Sequence, residues 1–158
     1  MRDLCTAGLA FKLVHGLVKY GRENNEAGFE KYDIRLLLDL VALGTIADMV
    51  PLTGENRILA FKGLQQLNRT NRPGLIALIN TCGIKGLITP YEVGFQLCPR
   101  LNAAGRLKKA TASLDLIMAA DEKSGVDLAT GLDKNNQTYN INGDTAASAI
   151  AKKLKSRR

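Results

Sequence analysis

Apolar residues recur at the three- and four-residue spacing of an amphipathic helix along most of this chain. The first such stretch follows Asp3, a candidate N-cap, and continues to about Tyr20. Its apolar stripe consists of Ala7, Ala10, Phe11, Val14, Leu17 and Val18. We therefore expect a helix over residues 3–20 that packs through this stripe.

A second stretch, IRLLLDLVALGTIADMV from Ile34 to Val50, is apolar on all sides except at Asp39 and Asp48. Its length and its leucine and alanine content favour a buried helix that ends before Pro51. Its β-branched residues leave a buried strand as the alternative.

Cap signals and the same spacing predict further helices. Thr89, Pro90 and Glu92 give the clearest signal, with threonine at the N-cap, proline at the first helical position and glutamate at the third. That helix should run to about Leu97. Other helices are predicted over residues 55–67, 75–81 and 111–121, and the last stretch should form one long helix or a helix broken near Gly143.

Composition bounds the class of protein. A chain of 158 residues with 46% hydrophobic content forms one domain or a piece of one. The net charge of +7 favours a polyanionic partner such as nucleic acid. Three distant cysteines and a single histidine disfavour a disulfide framework or a structural zinc site, which indicates a reducing, cytoplasmic compartment. No apolar run approaches the roughly 18 residues of a membrane span, so we expect no membrane association.

Two features carry candidate chemistry. The stretch PRLNAAGRLKK, Pro99 to Lys109, places four cationic side chains around small residues and contains no carboxylate. It is either a phosphate-binding loop between Arg100 and Arg106 or a helix-breaking turn with solvated arginines. Asp48 closes an apolar helix, where a carboxylate is either a ligand for a hard divalent cation or a partner in a helix-terminal hydrogen bond.

The blocks LLDLVALGTIADMVPLTGENRILAFKGLQQL and VGFQLCPRLNAAGRL resemble the bacterial RecJ single-strand-specific exonucleases of the DHH phosphoesterase superfamily, over about residues 3 to 140. The resemblance implies that Asp48 is a ligand in a manganese or magnesium centre. It implies that Arg100 and Asn102 lie beside the scissile phosphate, with Arg106 close by. We expect Lys108 and Lys109, which lie further from these residues, to add affinity for single-stranded DNA. Two-metal hydrolysis is the implied reaction.

The Asp-x-Asp and Asp-His-His motifs of that family are absent from this sequence. We therefore expect residues 1–108 to be the C-terminal part of the catalytic domain and residues 109–158 to be a helical connector with a basic tail. The fold should be mainly α, a helical remnant of an α/β domain whose parallel sheet lies mostly upstream. The isolated chain should be inactive, bind no metal tightly and self-associate through exposed apolar surface.

Two alternatives remain. The chain could be a non-catalytic helical module that binds nucleic acid or a partner protein through its basic face. It could also belong to a DHH phosphodiesterase that acts on small oligonucleotides or cyclic dinucleotides, although the PRLNAAGRL block favours a RecJ-like protein. The alternative for the site is structural: Arg100 would pair with a neighbouring carboxylate and Asn102 would cap the next helix.

Overall fold

The structure is a computed structural model that describes residues 3–107 and 111–155, including their side chains except at positions 104, 106, 107 and 141–155. All regular elements within these ranges are helical, which confirms the mainly α prediction. The α-helices are α1 Thr6–Glu23, α2 Leu38–Ala47, α3 Gly54–Leu67, α4 Pro73–Thr81, α5 Pro90–Glu92, α6 Cys98–Leu107, α7 Thr111–Ile117 and α8 Glu122–Lys155. A 3₁₀ turn, Ile34–Leu37, precedes α2, and a π-helical segment, Val93–Leu97, precedes α6.

The first of two compact units comprises Met1–Asn71 and Gly86–Phe95. In it α2 packs against α3 and, less extensively, against α1. Small residues allow these approaches, because a Cβ at Gly44 would lie 2.6 Å from Ala7 Cβ and one at Gly63 would lie 2.7 Å from Ala42 Cβ. The result is that α2, which ends at the residue before Asp48, is the central helix of this unit.

Helix α1 differs from its prediction in two respects. It begins at Thr6, and its N-cap is Cys5, whose Sγ accepts a hydrogen bond from Gly8 N at 3.4 Å, so the predicted cap at Asp3 is wrong. Within the predicted stripe only Val18 is buried, whereas Leu17 is exposed. The helical period was correct, and Ala7 of the stripe does contact α2 at Gly44, but the other buried positions of α1 are Gly8 and Gly21, which Leu4 and Phe29 cover.

The Ile34–Val50 stretch is helical, as predicted, but it is divided. Asp33 caps a 3₁₀ turn by accepting from Arg35 N at 3.0 Å, and α2 follows directly. The helix stops at Ala47, and Met49 adopts a positive φ of 50° before Pro51. A residue before proline is disfavoured in the α conformation, which explains why the chain leaves the helix ahead of Pro51.

The second unit comprises Arg72–Lys85 and Gln96–Arg158, and α8 packs against α4, α6 and α7 in it. Gly74 lies so close to the Leu116 carbonyl oxygen that a Cβ there would overlap it. Gly125 of α8 similarly approaches Pro73, where a Cβ would lie 3.0 Å from the carbonyl oxygen. Helix α8 is continuous through Gly143, so of the two predictions for the last stretch the unbroken helix is confirmed.

The capping box at Thr89 is confirmed. Its hydroxyl accepts from Tyr91 N, and the Glu92 carboxylate accepts from Thr89 N at 2.8 Å. The predicted end at Leu97 is wrong, because helical structure continues through the π-helical segment into α6. Pro99 is the second residue of α6, which directly follows the π-helical segment.

No helix within residues 3–107 and 111–155 combines the length and the apolar character needed to cross a membrane. The predicted boundary between residues 108 and 109 separates a catalytic domain from its connector. The division of this chain into two compact units does not test that boundary. It therefore stays a prediction.

Candidate functional site

Asp48 lies at the C-cap of α2, and its side chain is exposed. Its backbone N–H donates to Gly44 O at 3.0 Å in the helical pattern, whereas the next N–H, that of Met49, donates to Ile46 O three residues back. Across the described part of the chain, no hydrogen bond or ion pair involves its carboxylate. The side chain therefore does not form the helix-terminal hydrogen bond of the alternative interpretation, and its oxygens are available to a cation.

The turn that follows Asp48 is fixed by Asn56, a residue that the sequence did not single out. Asn56 is only 3% exposed, and its Nδ2 donates to Pro51 O at 3.0 Å and to Asp3 O at 2.7 Å. It thereby ties the chain after α2 to the chain before α1. No donor among the described residues reaches its Oδ1. The signal that could have indicated this role is an asparagine in the first turn of α3, where it cannot serve as the cap.

A metal ion needs more ligands than Asp48 alone. Asp39 is buried, and its carboxylate accepts from Leu40 N at 2.8 Å and from Thr70 Oγ1 at 2.9 Å. Among the described residues, no three histidine, cysteine, aspartate or glutamate side chains come together as a potential metal site. Hard divalent ions take six to eight oxygen ligands, and Mg²⁺ takes six in octahedral geometry. One exposed carboxylate does not supply this number, so these residues do not form a metal centre by themselves.

Arg100 lies in α6 with its side chain 20% exposed, and its guanidinium group is bound on two sides. Its Nε donates to Asp133 Oδ1 at 2.7 Å, and its Nη1 donates to Gln96 O at 2.8 Å. The same Gln96 carbonyl accepts from Cys82 Sγ at 3.6 Å. Burial raises the pKa of the Cys82 thiol, so it keeps the proton that this contact requires. The pairing of Arg100 with a carboxylate agrees with the structural alternative. Part of the guanidinium group has no partner among the described residues.

The structure does not bring Arg100 and Asn102 to one face. The PRLNAAGR stretch is helical rather than the predicted loop or helix-breaking turn, and residues two apart in a helix point about 200° away from each other. Asn102 is exposed, and no hydrogen bond to another described residue involves its side chain, so it does not cap a helix.

The remaining predicted contacts lie partly outside the described residues. Arg106 belongs to α6, but its side chain is outside the described set, and Lys108 and Lys109 lie outside the described residues altogether. Asp48 lies in the first unit, whereas Arg100 and Asn102 lie in the second.

Comparison with known proteins gives a consistent result, although no family model matches the chain. It is 44% identical over 137 residues to the single-stranded-DNA-specific exonuclease RecJ of Bacillus subtilis. The aligned residues cover 86% of this chain and 16% of that protein. It is 37% identical over 144 residues to RecJ of Escherichia coli, covering 87% of the chain and 25% of the relative.

Among solved structures, the chain is similar to RecJ of Thermus thermophilus in complex with Mg²⁺, at 35% identity and a TM-score of 0.64. The match covers 76% of this chain and 18% of the other, and a structure of the same protein with Mn²⁺ gives the same values. The chain thus spans a quarter or less of the length of these proteins.

Proposed function

This chain is a RecJ-like segment, and we propose that it is part of a 5′-to-3′ single-stranded-DNA exonuclease that acts in DNA repair and recombination in the cytoplasm. The observation that carries the proposal is the exposed carboxylate of Asp48, which has no partner among the described residues. It lies at the end of the central helix of its unit, within a segment that matches RecJ proteins over most of its length. A rigid apolar helix positions such a ligand well.

Asp48 is proposed to contribute one ligand to a manganese or magnesium centre. One T. thermophilus structure is a complex with Mg²⁺, and another is a complex with Mn²⁺. Bound divalent ions supply Lewis acidity to phosphodiester hydrolysis. Because the described residues do not form a metal centre by themselves, the isolated chain is proposed to be inactive and to bind no metal tightly.

The second part of the proposal concerns DNA. Arg100 retains guanidinium donors that can bind a phosphate oxygen. Asn102 is exposed on a different face of α6, so it would contact a different part of the DNA. Arg106, Lys108 and Lys109 add positive charge along the backbone of the DNA, which makes binding insensitive to base sequence and steeply dependent on salt. Residues 1–108 would then belong to the catalytic domain and residues 109–158 to its connector.

The experiment is a chimera of B. subtilis RecJ in which the 137 aligned residues are replaced by those of this chain. The chimera should release nucleotides from labelled single-stranded DNA with manganese, whereas the isolated 158-residue chain should not. Asp48→Asn in the chimera should lower the rate by at least about a hundredfold, on the scale of lost transition-state stabilisation. Asp115→Asn is the matched control, because Asp115 is also an exposed carboxylate.

Melting temperatures complete the test. Neither substitution should change the melting temperature of the chimera, since no bond to a described residue holds either carboxylate. A folded chimera in which Asp48→Asn retains full activity contradicts the ligand role. Metal-dependent release of nucleotides by the isolated chain, abolished by Asp48→Asn, contradicts the proposed inactivity.

The non-catalytic module that binds nucleic acid or a partner protein remains the second candidate, and the net charge of +7 supports it. Exposed apolar side chains in the first unit, including Leu13, Ile58, Phe61 and Phe95, support self-association. Sedimentation of the isolated chain over a range of concentrations tests this, and a strictly monomeric species at high concentration contradicts it.

A further inference from the structure

The contact between α6 and α8 in the second unit contains an ion pair that links residues 33 positions apart. Arg100 Nε donates to Asp133 Oδ1 at 2.7 Å, and the two side chains are 20% and 18% exposed. Ion pairs that are this well shielded from water hold their geometry better than exposed ones, because screening by solvent and salt is weaker.

Asp133 is itself fixed. Its second oxygen, Oδ2, accepts from Gln137 Nε2 at 2.7 Å, one helical turn further along α8. The neighbouring Ala129 and Leu132 are fully buried, so this part of α8 is anchored in the core of its unit. Both carboxylate oxygens therefore have a defined partner, and the carboxylate presents Oδ1 to Arg100 from a rigid support.

The guanidinium group of Arg100 is only partly used by these contacts. An arginine carries five N–H donors. Here Nε–H binds Asp133 and one Nη1 hydrogen binds Gln96 O, which leaves three donors with no partner among the described residues. Two bonds that converge on one planar group fix its plane, and the remaining donors then point in a set direction. A phosphate accepts this kind of planar fork well.

We propose that Asp133, supported by Gln137, is a positioning residue that orients the Arg100 guanidinium toward a phosphate of single-stranded DNA. The inference rests on the proposed function, in which Arg100 contacts the DNA backbone. A carboxylate next to that contact repels the phosphate, so attraction alone does not explain its presence. Orientation does, because a preordered donor group loses less conformational entropy when it binds.

The sign of the charge effect separates this proposal from a purely structural ion pair. Removing the negative charge of Asp133 makes the protein more positive, and electrostatics alone then predicts tighter binding of DNA. Loss of orientation predicts weaker binding. The two effects oppose each other, so the direction of the measured change is informative.

The experiment measures binding of fluorescently labelled oligo(dT), about 12 nucleotides long, to the intact 158-residue chain by anisotropy at several salt concentrations. Asp133→Ala should weaken binding about fivefold, and Asp133→Asn should weaken it less, because the amide oxygen can still accept from Arg100 Nε. Asp127→Asn is the matched control, since Asp127 is an exposed carboxylate on the same helix. It should leave binding unchanged or tighten it by less than about twofold.

Arg100→Gln and the double variant Arg100→Gln/Asp133→Ala complete the set. If Asp133 acts through Arg100, the double variant should bind as weakly as Arg100→Gln, with no further loss. A folded Asp133→Ala protein that binds as tightly as Asp127→Asn overturns the positioning role. If Asp133→Ala does not fold, Asp133→Leu decides in its place, because leucine is of similar size and cannot accept from Arg100. Unchanged binding by Arg100→Gln, or no binding by the unaltered chain, instead rejects the phosphate contact on which the inference rests.

Discussion

Replacing Gly63 with alanine should destabilise the packing of the helix that leads to Asp48. Gly63 is buried in α3 where that helix crosses α2. A Cβ at this position would overlap the carbonyl oxygen of Leu38 and would lie 2.7 Å from Ala42 Cβ and 3.1 Å from Ala42 N. Two of these three neighbours are backbone atoms, so rotation of a side chain cannot relieve the overlap.

The magnitude follows from two opposing contributions. Forcing an extra carbon into a packed core costs about 1–3 kcal/mol, and the rigid backbone contacts place this site at about 3 kcal/mol. Alanine gains about 1 kcal/mol over glycine inside a helix. The free energy of unfolding should therefore fall by about 2 kcal/mol, which corresponds to a melting temperature about 4–8 °C lower for a chain of this size.

Thermal unfolding followed by circular dichroism at the helical band provides the assay. Gly16→Ala is the control, because Gly16 lies in α1 of the same unit and a Cβ there would meet no atom within 4 Å. This control should raise the melting temperature by about 2–4 °C, through helix propensity alone. A Gly63→Ala protein that melts at or above the unaltered chain would refute the reasoning about the α2–α3 contact.

Two further predictions concern the buried amide and the helix cap. Asn56→Ala should lower the free energy of unfolding by about 1–3 kcal/mol, because the carbonyl groups of Asp3 and Pro51 lose their donor. Asn56→Asp should lower the free energy of unfolding further, because it places an acceptor against both carbonyls. Urea midpoints that rank the Asp variant above the Ala variant contradict the role of Asn56 as a donor. The hydrogen bonds from Thr89 hold the pKa of Glu92 below its usual value of 4.5. The contribution of the cap to stability is therefore fully present above pH 4.5 and is lost as the pH falls through the lowered pKa. Thr89→Ala should return the Glu92 pKa toward its usual value in an NMR titration, and an unchanged pKa would contradict the capping contribution.

Local signals in the sequence were sufficient for the helices and for one cap. The period of the apolar residues predicted the helices, since each helix needs one face to bury, and the Thr-Pro-x-Glu spacing predicted a box whose hydrogen bonds all lie within four residues. The two long blocks also indicated a RecJ-like chain, which the comparisons confirm. Local patterns were less reliable where two tendencies competed. The small residues between the arginines of PRLNAAGR suggested a loop or a turn, yet the stretch is helical and directly continues the π-helical segment before it.

Which residues meet across the fold was decided by tertiary packing. The sequence identified Arg100 but not Asp133, because the two lie 33 residues apart and only the packing of α6 against α8 makes them neighbours. Asn56 was missed for the same reason, since its partners are the carbonyls of Asp3 and Pro51, whose positions depend on where two other segments pass. Helical period fixes which side of a helix is apolar, but only the tertiary structure shows which positions of α1 are covered, namely Gly8, Val18 and Gly21. The availability of the Asp48 carboxylate was likewise a property of the folded chain, because only the tertiary structure shows that no neighbouring donor in the described residues reaches it.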